Sequence, residues 1–327
     1  MRIAFVGGSG HHFLRRLVGH EPGLEVAIVA DAHDPAASAT MGAALPGAKR
    51  FDDVATMAAS FRPDVVSVGT VYGHLGDATA ACLERDLAVV TDKPAAATWR
   101  QFERLSHLCE RSGRPLITEF DFRVRPAFRA ARRAVRENLV GEVALMTAQK
   151  SYRWGQRPAW YADRVHYGST LLWIGSHAID VVRFVSGAEP VSVYARQANV
   201  TRGPVWGTAE DVATATFGLP NGGTAVAHAD FLRPAQAPTH GDDRLRVAGG
   251  RGLLEIRGDR CLLTTADAPE RDITEWGADG PPLEQALLDA ALGRATDDAY
   301  STAETLRTAE LLLRARDAAD AGVVQGL

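Results

Sequence analysis

The first third of the chain alternates short apolar runs with amphipathic segments. "RIAFVG", "EVAIVAD", "DVVSVGT", "LAVVTDK" and "PLITEF" are rich in β-branched residues and nearly unbroken in apolar character, as strands buried on both faces are. Between them, "HHFLRRLVGH", "VATMAASF", "GDATAACLERD" and "RQFERLSHLCERSG" carry helical spacing. Strands interleaved with helices predict a doubly wound parallel sheet with right-handed crossovers. The alternation stops near residue 122, where "FRVRPAF" introduces a proline and a long Arg/Ala helix.

The remainder reads differently. "EVALMTAQKSY", "PVSVYARQANV", "DVATATFGL", "GGTAVAHADFL", "DRLRVAGG" and "GLLEIRG" alternate partly and are separated by turn residues, the pattern of an antiparallel sheet with one solvated or partnered face. "YGSTLLWIGSHAIDVVRFVSG" (167–187) predicts a helix capped by Ser169 or Thr170, with Trp173, His177 and Asp180 on one face. Two helices, "PPLEQALLDAAL" and "TAETLRTAELLLRARDAAD", end the chain. The fold class expected is therefore α/β: a doubly wound domain over 1–122, then an α+β domain over 123–327 with an open, mostly antiparallel sheet. The crevice between such domains is the expected ligand site.

Composition narrows the function classes. With 36 Lys+Arg against 40 Asp+Glu, the net charge of −4 offers no broad cationic field for nucleic acid or anionic lipid. Cys82, Cys109 and Cys261 are scattered and odd in number, against a disulfide framework and in favour of a reducing, cytoplasmic setting. No window has the length and apolarity of a membrane span or a signal peptide.

Candidate chemistry clusters at strand ends. In "FVGGSGHH", Gly7, Gly8 and Gly10, with Ser9, His11 and His12, follow the first strand; glycines there let backbone N–H groups approach a pyrophosphate, although a tight strand-to-helix connection would look the same. The match to G-x-G-x-x-G is imperfect, since Ser9 and His12, or Phe13, fall on glycine positions. Asp31 ends the second strand about twenty residues on; its carboxylate suits adenine-ribose hydroxyls and would repel a 2′-phosphate, which favours NAD and leaves NADP as the alternative. A loop-capping role for Asp31 would read identically. Lys93, between Asp92 and Pro94 after an apolar strand, either is a solvated turn lysine or holds a substrate hydroxyl and stabilises alkoxide character as hydride leaves. His177 either sits satisfied in the core or accepts that hydroxyl's proton near neutral pH.

Together the glycine turn, "RPDVVSVGTVYGHLGDATAACLERDLAVVTDKPAA", the "FRVRP" junction, "LVGEV" and "GSTLLWIGSHAID" resemble the Gfo/Idh/MocA family of nicotinamide-dependent oxidoreductases over essentially the whole chain. The D-K-P stretch looks like that family's E-K-P signature, and the resemblance implies that Lys93 is catalytic or orients substrate. It likewise places His177 on the family's catalytic histidine in G-x-H-x-x-D, with Asp180 on the following, structural acid. It implies a Rossmann domain, an NAD cofactor, sugars or polyols as substrates, and a homodimer or homotetramer formed through the C-terminal sheet, with no metal.

Two departures stand out. The family's aspartate four residues before the histidine is here Trp173, which can stack on a sugar ring but cannot polarise an imidazole. "TVYGH" lacks the usual proline, though Thr70, Tyr72 and His74 lie where the family's cofactor loop runs. The segment "QKSYRWGQRPAWYADRVHYG" (149–168) is dense in large polar and aromatic residues. Lys150, Tyr152, Arg153, Trp154, Tyr161 and Arg164 suit a loop closing on a hydroxylated or carboxylated ligand; a subunit interface would enrich the same residue types. The expected function is an NAD-dependent dehydrogenase acting on a secondary alcohol of a sugar, cyclitol or sugar derivative. The alternatives are a lyase or hydrolase that cycles hydride on retained NAD, and a non-catalytic sensor.

Overall fold

The computed structural model describes residues 1–295 and 299–327, which divide into two compact units. In the first unit six parallel strands, β1 (Arg2–Val6), β2 (Glu25–Val29), β3 (Lys49–Phe51), β4 (Val65–Val68), β5 (Val89–Thr91) and β6 (Leu116–Thr118), take the order β3-β2-β1-β4-β5-β6. Ile3, Ala4 and Phe5 on β1 and Val65 and Val66 on β4 are fully buried, which explains why these strands read as unbroken apolar runs. Asp34, Asp53 and Thr98 each accept a backbone N–H to cap the helices Pro35–Ala44, Val54–Phe61 and Trp99–Ser112. Because all strands run the same way, Gly7, Asp31, Thr70, Asp92 and Glu119 emerge at one edge of the sheet.

One crossover departs from expectation. After β1 the chain forms only a 3-10 turn, Phe13–Leu17, where the sequence pattern anticipates a longer helix. Gly19 and Gly23, both at positive φ, with Pro22 between them, end the turn before an α-helix can propagate.

The second unit is built on nine strands in the order β14-β13-β12-β11-β7-β10-β9-β8-β15. These are β7 (Val143–Tyr152), β8 (Ser192–Ala198), β9 (Val212–Gly218), β10 (Thr224–Asp230), β11 (Gly241–Gly249), β12 (Gly252–Arg257), β13 (Arg260–Thr265), β14 (Ala268–Asp272) and β15 (Gln325–Gly326). All neighbours are antiparallel except β7 and β10, which run parallel. The helix Gly175–Ser186 packs on β7 and β10, where Ala148, Ala225, Ala227 and Ala229 present small buried side chains that let it approach closely. This helix starts later than the sequence pattern predicts. The Ser169 hydroxyl accepts from Leu172 N at 3.2 Å within the preceding turns at 170–174, which close with Gly175 N to Thr170 O at 2.9 Å; the helix itself starts without a side-chain cap. Trp173 and His177 are therefore not neighbours on one regular helical face.

Neither unit is a single stretch of chain. The first gathers Met1–Glu119, Val165–Gly168 and Pro281–Glu310; the second gathers Phe120–Arg164, Ser169–Gly280 and Leu311–Leu327. In the first, the backbone N–H groups of Leu116 and Thr118 on the edge strand β6 donate to the hydroxyls of Thr302 and Thr305, each at 3.0 Å.

Candidate functional site

In the first unit the glycine turn is sterically required. Gly7 has φ +85°, and a Cβ there would lie 2.7 Å from the Gly69 carbonyl oxygen; at Gly10 it would lie 2.7 Å from an Asp92 carboxylate oxygen. Beside the turn a cleft of about 630 Å³ is lined by Asp31, His33, Asp53, Thr70, His74 and Asp77, among others. Asp31 is buried. One carboxylate oxygen accepts from His33 N at 2.9 Å and the other from Val71 N at 3.1 Å, and each keeps a second lone pair for a ribose hydroxyl. A glycine turn without room for side chains, next to a cleft with an anchored carboxylate, fits the adenosine half of NAD. Ser9 is tied to Asp34, and Tyr72 is buried near Tyr167. His12 is a core residue: its Nδ1 lies 2.8 Å from the Ser67 hydroxyl, and burial pushes its pKa down to about 4.

Lys93 is 2% exposed, which is not how a turn lysine sits. Its Nζ donates to Asp92 Oδ1 at 2.9 Å and lies 3.0 Å from His11 Nδ1; the following peptide bond, to Pro94, is cis. Asp92 is fully buried and also accepts from His11 N at 2.7 Å. Burial opposes its ionisation, but the Lys93 ammonium and the His11 ring outweigh that, and the carboxyl stays well below the usual range. His11, expected at the cofactor, is thus also part of the lysine's setting. Glu119, at the end of the adjoining strand β6, was missed by sequence reading. It is fully buried, accepts from Phe13 N at 3.1 Å through Oε1, and has no partner for Oε2 among the described residues. Burial and the Asp92 charge raise its pKa well above the ordinary value. The signal available was an acid closing "PLITEF" one strand over from Asp92.

In the second unit His177 is buried, and its Nδ1 lies 3.2 Å from Asp121 Oδ1. Asp121, from the 3-10 turn Asp121–Val124, is the second residue the sequence did not disclose: it sets a carboxylate beside His177. The two elements are locked together. Arg123, from that turn, donates to both oxygens of Asp180, on the histidine's helix, at 2.9 and 2.5 Å, with both side chains buried. Asp180 thus holds the frame that sets His177 beside Asp121.

The segment 149–168 divides among several roles. Trp154 and Tyr161 are buried, edge to face with each other, and Trp154 also meets Trp206 and Phe231. Arg164 bridges Glu210 at 2.8 Å and Asp320 at 2.8 Å, and Glu210 in turn accepts from Thr170 N at 3.0 Å. Lys150 is buried beside Asp243 at 3.1 Å; burial would lower its pKa, but Tyr152, Asp121 and Asp243 outweigh this and raise it. Trp173 is buried in the same unit, whereas His166 and Tyr167 fall in the first. The structure therefore pairs Lys93 with His11, joins Asp31, Thr70 and His74 along one cleft, and sets Lys150 near Tyr152.

A family model described as an oxidoreductase family with an NAD-binding Rossmann fold matches residues 1–120, and one described as the GFO/IDH/MocA C-terminal domain matches residues 128–255. A D-apiose dehydrogenase from Paraburkholderia graminis is 25% identical over 80% of this chain and 67% of its own length. The rhizopine catabolism protein MocA of Rhizobium meliloti is 25% identical over 82% of this chain and 83% of its own. A solved structure of a candidate oxidoreductase from Thermotoga maritima covers 100% of both chains at 29% identity, with a TM-score of 0.89. No helix among the described residues is long and apolar enough to cross a membrane. The chain belongs to the Gfo/Idh/MocA family of oxidoreductases and takes NAD at its Rossmann unit.

Proposed function

We propose that the protein transfers hydride between NAD and a secondary alcohol, or the matching ketone, of a sugar, cyclitol or sugar derivative. The observation that carries this reading is the buried ammonium of Lys93 at the carboxyl edge of the parallel sheet, ion-paired to Asp92. Desolvating an ammonium costs several kcal/mol, about the scale at which a fold retains the charge only with good pairing. The dehydrogenase relatives support the substrate class.

The bound nicotinamide supplies the hydride acceptor or donor. Lys93 donates a hydrogen bond to the reacting oxygen and stabilises the negative charge that grows on it as the C–H bond breaks. Because Nδ1 of His177 faces Asp121, the tautomer protonated on Nδ1 leaves the basic lone pair on Nε2, which accepts the hydroxyl proton. Asp31, anchored at the end of β2 and lining the cleft, disfavours a 2′-phosphate and favours NAD over NADP.

The test mixes the protein with NAD and a panel of inositols, aldoses and sugar acids, and follows absorbance of the reduced nicotinamide. Turnover of one compound, lowered about a thousandfold in both Lys93→Met and His177→Ala with NAD affinity retained, is the expected result. Silence across the panel with NAD still bound rejects the reading and favours a sensor or a closed hydride cycle.

A further inference from the structure

One corner of the second unit holds more positive charge than its acids balance. Lys150 near the end of β7, Arg153 and Arg157 just beyond it, and Arg233 beyond β10 all act on His240, which leads into β11; burial and these four cations hold the His240 pKa below its usual value. The backbone knits the segments together: Arg153 N donates to His240 O at 3.0 Å, Arg233 N to Tyr152 O at 3.2 Å, and Arg157 Nη2 to Arg153 O at 3.3 Å. The rings of Tyr152 and His240 meet at 4.8 Å, and Lys150 Nζ lies 4.8 Å from the Tyr152 ring.

The nearest carboxylates pair with other cations or with polar groups, Asp230 accepting from the Ser151 hydroxyl and Leu232 N. Asp243 is shared by Lys150 and Arg125, and Asp242 by Arg233 and Arg244. Neither Arg153 nor Arg157 has a carboxylate partner among the described residues. The Nε atom of each is buried without a hydrogen-bond acceptor, an arrangement that costs free energy unless something supplies one. Lys150 also feels Asp121, the neighbour of His177, so the cationic corner continues from the histidine's own surroundings.

We propose that this corner binds the anionic group, carboxylate or phosphate, of a polyhydroxylated ligand, with Arg153 and Arg157 as its main donors. Guanidinium groups suit both anions because their parallel N–H bonds match a pair of oxygens. The inference rests on the dehydrogenase reading for its claim that this ligand is the substrate. Its binding claim stands independently of turnover.

Isothermal titration with D-galacturonate and with D-glucose 6-phosphate, each beside its neutral parent D-galactose or D-glucose, tests the binding claim and separates the two anions. The expected result is at least about tenfold tighter binding of one anionic probe than of its parent, weakening as salt is raised. Arg157→Gln and Arg153→Gln should each erase most of that preference while NAD binding is unchanged. Equal binding of charged and neutral probes, no binding of either anionic probe, or a preference that survives both substitutions overturns the proposal. Oxidation of a neutral sugar without any anion preference would remove the subsite and keep the dehydrogenase. Tight anion binding without turnover would do the reverse.

Discussion

The surroundings of Lys93 and those of His177 solve opposite problems. Around Lys93 the acids and the amine are sealed in: Asp92 and Glu119 are fully buried and the ammonium nearly so, while the His11 ring beside them stays half exposed. There burial and the Asp92 charge push the Glu119 pKa up, while Lys93 and His11 hold that of Asp92 down, so two neighbouring acids are shifted in opposite directions. Around His177 the acid is partly open, since Asp121 keeps about a third of its side-chain exposure. The first arrangement holds a charge still. The second leaves its acid within reach of solvent.

That contrast can be broken most forcefully at the frame of the second region. Arg123→Met leaves Asp180 buried without its partner and should destabilise the protein by about 3–5 kcal/mol in urea unfolding, with much of the loss recovered in an Arg123→Met/Asp180→Leu double variant. An unchanged midpoint would show that the pair is not what joins the turn to the helix.

A smaller effect should appear beside the first region. His12 binds a proton at its ordinary pKa of 6.5 when unfolded but only near 4 when folded, so the unfolded state gains protons first and stability falls as pH drops through that window. The loss amounts to about 3 kcal/mol. In His12→Asn the slope between pH 6.5 and 4 should be correspondingly shallower, read from urea unfolding at several pH values. Equal slopes would mean that His12 charges freely in the native state.

The most local change is Asp121→Asn, which removes the carboxylate facing His177. Turnover should fall about ten- to a hundredfold, and the acid limb of its pH profile should move to lower pH, because a carboxylate favours the imidazolium. Loss of turnover with no movement of the limb would assign Asp121 to structure alone.

These differences track what the sequence could disclose. The parallel sheet was legible because its strands are buried on both faces, and Lys93 stood out because a strand end in such a sheet is a known place for ligands. Glu119 and Asp121 were hidden for a common reason: each acts on a residue distant in sequence. Glu119 lies 27 positions after Asp92, and Asp121 lies 56 positions before His177. No local spacing rule links such residues. Trp173 shows the same limit from the other side, since its position relative to His177 reads as one helical turn while the chain there forms turns that precede the helix. Arg157 and Arg233, which attend the cationic corner, were likewise inconspicuous among many surface arginines.

The two threonine hydroxyls of the final helix that cover β6 carry a consequence for how the chain must be made. An outer strand with bare amides is a template for pairing with any passing strand, and here those amides are quenched by residues that the ribosome delivers almost 190 positions later. Until the final helix arrives, the nascent nucleotide-binding half has an adhesive rim. A fragment ending at residue 122 would keep that rim permanently, which makes self-association its natural fate.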